Sequence, residues 1–308
     1  MRTIGSTDLA VFPLCFGGNI FGWTVDEPSA FAVLDAYAAA GGNFIDSADS
    51  YSAWVPGNRG GESETVIGRW MAARGNRDDV IVATKVGKMP GLAGLAPATI
   101  RRAAEDSLAR LGTDRIDLYY AHLDDEDTPL EESLAAFGEL VDEGKVRYIA
   151  ASNYGAARLA EALAVSRANS LPSYVAVQPH YNLVHRSEYE GALAELCLRE
   201  GLSCIPYSAL ASGFLTGKYR VGGADTGSQR AGSARAYLDD RGVAVLAALD
   251  EVAASHATTV AAVALAWLAA QPAVAAPIAS ARTPAQLADL LPMADLVLTD
   301  AELDRLSS

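Results

Sequence analysis

Asn43-Phe44-Ile45-Asp46-Ser47-Ala48 and Val80-Ile81-Val82-Ala83-Thr84-Lys85 set the reading of this chain. Each is an apolar run of strand length, and each carries a charged residue where the run gives out. A third run, Ile116-Asp117-Leu118-Tyr119-Tyr120-Ala121-His122, ends on an imidazole. Five more runs of the same kind cover residues 12–17, 146–152, 175–180, 203–208 and 274–279. Several are apolar throughout rather than alternating, the pattern of parallel strands covered on both faces.

Segments of helical period lie between these runs. Thr128 and Glu131 have the spacing of a capping box, with Pro129 at the first helical position. Leu130, Leu134, Phe137, Leu140 and Val141 then form one apolar face, and Gly144 stops the helix. A second helix starts near Pro97, buries Ile100, Ala104, Leu108 and Leu111, and ends at Gly112. Eight such strand–helix units predict an α/β fold, a (β/α)8 TIM barrel formed as a single domain over residues 1–308. The competing architecture is an open doubly wound sheet. It wants a G-x-G-x-x-G turn after its first strand, and Phe16-Gly17-Gly18-Asn19-Ile20-Phe21-Gly22 does not match.

Two segments stand outside the repeat. Gly5-Ser6-Thr7-Asp8 is a turn cluster between short apolar pieces, predicting an N-terminal β-hairpin over the bottom of the barrel. Residues 211–242 form a long loop after the seventh strand. Its Lys218, Arg220, Arg230, Arg235 and Arg241 outnumber Asp225, Asp239 and Asp240 in a chain of net charge −14. A loop of that length is expected to be functional, here as a strap over an anionic ligand.

The composition narrows the function. The strong negative charge argues against nucleic acid or an anionic membrane as partner. Cys15, Cys197 and Cys204 form no C-x-x-C pair, which suits a reducing cytosol, and Cys15 and Cys204 fall inside predicted strands. The apolar stretch 9–18 has no cleavage site, and residues 260–279 are broken by Gln271, Pro272 and Pro277 into a helix and a strand. A cytoplasmic protein, monomeric by default, is the expectation.

Asp46, Lys85 and His122, with Tyr51 five residues after Asp46, bring an acid, an amine, an imidazole and a phenol to one rim. A free tyrosine, with a pKa of about 10, is a poor acid at neutral pH. A neighbouring ammonium such as Lys85 would lower that value, and Asp46 would keep Lys85 charged. His122 could then orient an oxygen beside the phenol. The set suits protonation of a carbonyl oxygen as hydride reaches its carbon. Singly, each residue has an ordinary explanation: a helix cap, a packed ring, a solvated lysine, a hydrogen-bonded histidine. Together, on successive strands, they read as a site. His122, His180, His185 and His256 lack zinc spacings, so no metal is expected. A Schiff-base lyase would use Lys85 but has no need of Tyr51.

With these residues in view, the chain resembles the aldo-keto reductase superfamily almost end to end. The segments that carry the likeness are 43–51, Thr84-Lys85, 117–122, Ala151-Ser152-Asn153-Tyr154, Val177-Gln178-Pro179-His180-Tyr181-Asn182, and 206–219. The resemblance implies NADPH-dependent reduction of an aldehyde or ketone, or the reverse. Tyr51 is then the general acid, Lys85 and Asp46 its partners, and His122 the group that orients the substrate carbonyl. By the same match Ser152, Asn153 and Gln178 bind the nicotinamide carboxamide, with Asp46, Gly18 and Asn19 beside them, and Tyr207 stacks on the ring. Ser208, Leu210, Ser212 and Lys218 contact the pyrophosphate. Arg282 and Gln286 hold the 2′-phosphate, at what the sequence suggests is a helix start. Asp289 lies near adenine, while Leu290 stands where many members carry Asn. Trp23 and Trp54 either line the substrate pocket or pack on its rim. Relatives that act as potassium-channel β subunits keep the fold and the nucleotide site, so a cofactor sensor with little turnover is the alternative. They carry Asn at the position of His122.

Overall fold

The computed structural model describes residues 1–223 and 227–308. A two-stranded antiparallel hairpin, β1 (Arg2–Thr3) and β2 (Ala10–Val11), precedes the barrel. The barrel strands follow as β3 (Cys15–Gly17), β4 (Phe44–Asp46) and β5 (Ile81–Val86). A small antiparallel pair, β6 (Lys88–Met89) and β7 (Leu92–Ala93), sits on the rim beyond β5. Then come β8 (Ile116–Ala121), β9 (Val146–Ser152), β10 (Ala176–Gln178), β11 (Ser203–Cys204) and β12 (Ile278–Ala279).

All eight barrel strands are parallel, and neighbours in sequence are neighbours in the sheet, with β12 returning to β3. The ring closes between β11 and the segment before β12. The Cys204 amide donates to Ala273 O at 2.7 Å, and the Ala275 amide donates to Cys204 O at 2.9 Å. This is the (β/α)8 TIM barrel, with the hairpin across its lower end. Gly5 N donates to Ser203 Oγ at 2.8 Å, and Arg2 Nη1 donates to Ala269 O and Val274 O.

Side-chain alternation decides what faces inward. Phe44, Ala83, Leu118, Tyr120, Ala150, Ala176 and Ile205 pack inside the barrel with Ile4, Leu9 and Val11 of the hairpin. Ile45, Val82, Tyr119, Ile149 and Val177 face the helices instead. Successive residues of a strand point to opposite faces. Two residues beyond each inward apolar side chain therefore stands another inward position, now at the upper rim. Those positions are Asp46, Lys85, His122, Ser152, Gln178 and Tyr207. One period of two thus supplies both the apolar filling and the polar crown.

Two details differ from the sequence reading. The helix Leu130–Asp142 begins without the Thr128/Glu131 capping box. Thr128 Oγ1 instead donates to Asp125 Oδ2 at 2.8 Å, because Asp125 already accepts the Leu95 amide and ties the preceding turn. The long loop is partly ordered, with a 3-10 turn over Ala211–Thr216 and a short helix over Ala231–Arg235. Asp225, counted among its charges, lies outside the described residues. The helix Pro97–Leu111 matches its expected face and its Gly112 stop, where φ is 62°. Cys15, Cys197 and Cys204 are buried free thiols. Among the described residues no single helix is long and apolar enough to cross a membrane.

Candidate active site

Asp46 closes β4 and Lys85 lies one residue from the end of β5, two strands that pair directly. Lys85 is wholly enclosed, and its ammonium donates to Asp46 Oδ2 (2.6 Å), Ser47 O (2.6 Å) and Tyr51 Oη (2.8 Å). Tyr51 Oη donates in turn to Asp46 Oδ2 at 3.1 Å. Asp46 Oδ1 accepts from Gln178 Nε2 at 2.9 Å. The phenol, the ammonium and the carboxylate therefore form one closed triangle. His122 follows β8, its ring 6.0 Å from that of Tyr51 at an interplanar angle of 75°.

The electrostatics correct one expectation. Burial, and then the Asp46 charge, raise the Tyr51 pKa well above its ordinary value, so the phenol holds its proton. The expected lowering by Lys85 does not prevail, because Asp46 shares that ammonium and itself accepts a hydrogen bond from the phenol. Burial also lowers the Lys85 pKa, while Asp46 pulls the other way. His122 is pushed down to about 2, first by burial and then by Lys85 and Lys88, so its imidazole is neutral across the physiological range. It is a neutral hydrogen-bonding group, not a cation.

A cleft of about 720 Å³ opens over these residues. Ser152, Asn153, Gln178 and Tyr207 line one part, tied by Ser152 Oγ–H to Gln178 O (2.9 Å) and Tyr207 Oη–H to Asn153 Oδ1 (2.9 Å). Asn153 takes a left-handed backbone (φ 59°), and its Nδ2 donates to His122 O at 2.8 Å. Farther along lie Ser208, Leu210, Ser212 and Lys218, and then Arg282, Gln286, Asp289 and Leu290. Ser208, Ala211 and Ser212 all have positive φ, a conformation that L-residues adopt only where the surroundings enforce it. Neither Lys218 nor Arg282 has a carboxylate partner among the described residues, so each cation is available to a bound anion.

Three expected contributors sit differently. Gly18 lies behind the cleft, where a Cβ would come within 2.8 Å of Ser63 Oγ; Gly17 and Asn19 form the wall instead. The helix after Arg282 is only Pro284–Ala288. Thr283 Oγ1 accepts from Gln286 N, and Gln286 Oε1 accepts from Arg282 N at 3.0 Å. The Arg282 guanidinium, with no carboxylate partner among the described residues, is left for a phosphate. Trp54 is half exposed and packs edge-on against Tyr51 (6.3 Å) and Trp23 (5.6 Å); neither indole lines the cleft, and Trp23 borders a neighbouring groove with Arg282 and Gln286.

Arg230, one of the cations expected on the strap, reaches the cleft, and so does Lys88 from the small rim hairpin, which was not foreseen. His180 stacks on both Tyr207 (5.3 Å) and His185 (3.7 Å), and His185 pairs with Glu188 at 2.8 Å. The ligand atoms of His180, His185 and Glu188 lie within 4.8 Å of one another, a grouping that the zinc spacings did not reveal. The two imidazoles are nearly parallel, however. A lone pair lies in its ring plane, so an ion at roughly 2.0–2.1 Å from both nitrogens would sit far out of each plane. The arrangement is a stack under Tyr207.

Comparison with known proteins agrees with this geometry. Residues 13–308 match the Aldo/keto reductase family. An uncharacterized oxidoreductase, YrpG of Bacillus subtilis (strain 168), is 36% identical over 98% of this chain and 93% of its own. Norsolorinic acid reductase B of Aspergillus parasiticus is 31% identical over 98% of this chain and 82% of its own. A probable voltage-gated potassium channel subunit beta of Oryza sativa subsp. japonica is 31% identical over 100% of this chain and 95% of its own. Barrel, rim and sequence lead to one conclusion: the chain belongs to the aldo/keto reductase family.

Proposed function

We propose that this oxidoreductase reduces an aldehyde or ketone with NADPH, or runs the reverse oxidation, and that Tyr51 is its general acid. The observation that carries this reading is the closed triangle of Tyr51, Lys85 and Asp46 beneath a cleft that also holds a neutral imidazole. The donor set fits the dinucleotide. Lys218 and Arg282 would meet its phosphates, the open face of Tyr207 its nicotinamide ring, and Ser152, Asn153 and Gln178 its carboxamide. When bound, that group supplies hydride to the carbonyl carbon. The chain's own residues handle the proton. Tyr51 donates it to the carbonyl oxygen as negative charge develops there, and Lys85 stabilises the resulting phenolate through its 2.8 Å hydrogen bond. Asp46 keeps Lys85 in place, and neutral His122 donates a hydrogen bond to the same oxygen without competing for the proton.

Tyr51→Phe removes the acid and leaves the cofactor cleft intact. Carbonyl turnover should fall by about 10²–10⁴-fold, while NADPH affinity, read by quenching of protein fluorescence, should change by less than about threefold, since 1.4 kcal/mol of binding would already be tenfold. Near-normal reduction by this variant would refute the assignment. A cofactor sensor is the second reading, favoured by the likeness to potassium-channel β subunits. It predicts NADPH binding with no turnover of any carbonyl compound.

A further inference from the structure

Tyr207, His180 and His185 build a column of near-parallel rings. The ring centres of Tyr207 and His180 lie 5.3 Å apart at an interplanar angle of 19°, and those of His180 and His185 lie 3.7 Å apart at 12°. Tyr207 lines the cleft and neither histidine does. The phenol ring of Tyr207 thus stands between the cleft and an imidazole backing.

The sequence makes the column locally. Leu183 and Val184 form a tight turn closed by reciprocal backbone hydrogen bonds between Asn182 and His185 (3.0 and 3.1 Å). That turn lays His185 back over His180, five residues earlier. Buried Asn182 ties the turn to the segment after β11: its Nδ2 donates to Ser208 O and its Oδ1 accepts the Val184 amide, both at 2.9 Å. His185 Nε2 pairs with Glu188 Oε1 at 2.8 Å, which holds the outer ring. Burial, then His185, lowers the His180 pKa, so the inner ring is uncharged at neutral pH.

Tyr207 has two other anchors, and neither fixes its plane. Its amide donates to Pro179 O at 3.0 Å, and its Oη donates to Asn153 Oδ1 at 2.9 Å. These hold the two ends of the side chain but leave the ring free to turn about its Cβ–Oη axis, a torsion with a broad minimum. A surface against the ring face removes that freedom, and His180 supplies it in the offset-stacked arrangement that aromatic rings favour.

We propose that His180, backed by His185, is a positioning residue that sets the plane of Tyr207 and so the plane offered to a nicotinamide ring. This rests on the reductase reading above, in which the open face of Tyr207 receives that ring, and extends it to two residues outside the cleft. A turned platform would misplace the bound ring, and reaction rates are steeply sensitive to such misplacement.

The test is calorimetric titration of the wild-type protein, His180→Ala and His180→Phe with NADPH and with adenosine 2′,5′-bisphosphate, which keeps the 2′-phosphate and lacks the nicotinamide. His180→Ala should weaken NADPH by about 3–10-fold, the worth of one stacked aromatic pair, and change the bisphosphate by less than about twofold. His180→Phe keeps a flat ring and should recover most of the NADPH affinity. His185→Ala, farther from Tyr207, should give a smaller loss with the same selectivity for NADPH, and it carries the test if His180→Ala does not fold. Equal weakening of both ligands, unchanged NADPH binding, or a Phe variant no better than Ala would each overturn the proposal. The selective loss appearing in a protein that turns over no carbonyl compound would sink the reductase reading alone. Turnover with NADPH affinity indifferent to His180 would sink this inference alone, and no NADPH binding by the wild-type protein would sink both.

Discussion

Asp46→Asn tests the triangle most directly. The carboxylate takes four roles at once: Oδ2 accepts from Lys85 and Tyr51, Oδ1 accepts from Gln178, and its charge balances an ammonium with no exposed surface. An amide has one acceptor oxygen and one donor nitrogen. Whichever way the new amide turns, one donor faces another, either the Lys85 ammonium or the Gln178 amide. Lys85 is also left as a buried cation whose counter-charge is gone, a change worth about 3–5 kcal/mol. At about 2.1 cal/mol/K of unfolding entropy per residue, a chain of 308 residues should lose about 5–8 °C in melting temperature. The penalty has a sign in pH. With its folded pKa depressed further below the unfolded value, Lys85 binds fewer protons folded than unfolded in the window between them. Stability therefore rises with pH there, and the variant should recover as pH approaches about 10. Activity moves too. Asp46 is the second cause, after burial, of the raised Tyr51 pKa, so its neutralisation lets the phenol ionise at lower pH. The alkaline fall of the reduction rate should shift downward, read as kcat/KM against pH at saturating NADPH. A variant that melts with the wild type and keeps its alkaline limb would refute the coupling of these three groups.

Other outcomes follow from single contacts. His122, pushed down to about 2, is neutral when folded and charged below about 6.5 when unfolded, so it costs stability as pH falls below 6.5. Urea unfolding of His122→Gln should show about 2 kcal/mol less destabilisation than wild type between pH 7 and pH 5; equal slopes would argue against a neutral His122. Asp49 acts with the opposite sign. Burial, then Glu64, raise its carboxyl to about 7, and neither oxygen finds a well-formed hydrogen bond. Its folded form holds a proton that the unfolded chain releases, so it costs stability as pH rises from about 4 to 7. Asp49→Asn should therefore raise the melting temperature at pH 8 and leave it nearly unchanged at pH 4, and a gain confined to pH 4 would contradict this. Arg282→Ala should weaken NADPH by about 10–100-fold, as for a lost charge-assisted pair, and NADH by much less. Equal loss in both titrations would remove Arg282 from the 2′-phosphate.

The barrel and its four rim groups were legible in the chain itself. Apolar runs of strand length that end on Asp46, Lys85 and His122 record a local rule, the period of two, which needs no knowledge of distant residues. Motif order then located the cleft segments around Ser152, Gln178 and Tyr207. What stayed hidden depends on pairs far apart in sequence. The direction of the Tyr51 shift depends on which of two neighbours wins once all are buried, and burial is a property of the closed barrel. Gly18 and Gly17 are adjacent and alike in sequence, and only the packing of Ser63 decides which one faces the cleft. Thr128 lost its cap because Asp125 was already committed to Leu95. Arg230 was visible only as one charge in a basic loop, and its place on Trp23 emerged when the strap was laid back over the rim. Sequence determined which groups reach the crown, because strand alternation is local; tertiary structure decided their protonation and their partners, because desolvation and charge pairing act between segments that only the fold brings together.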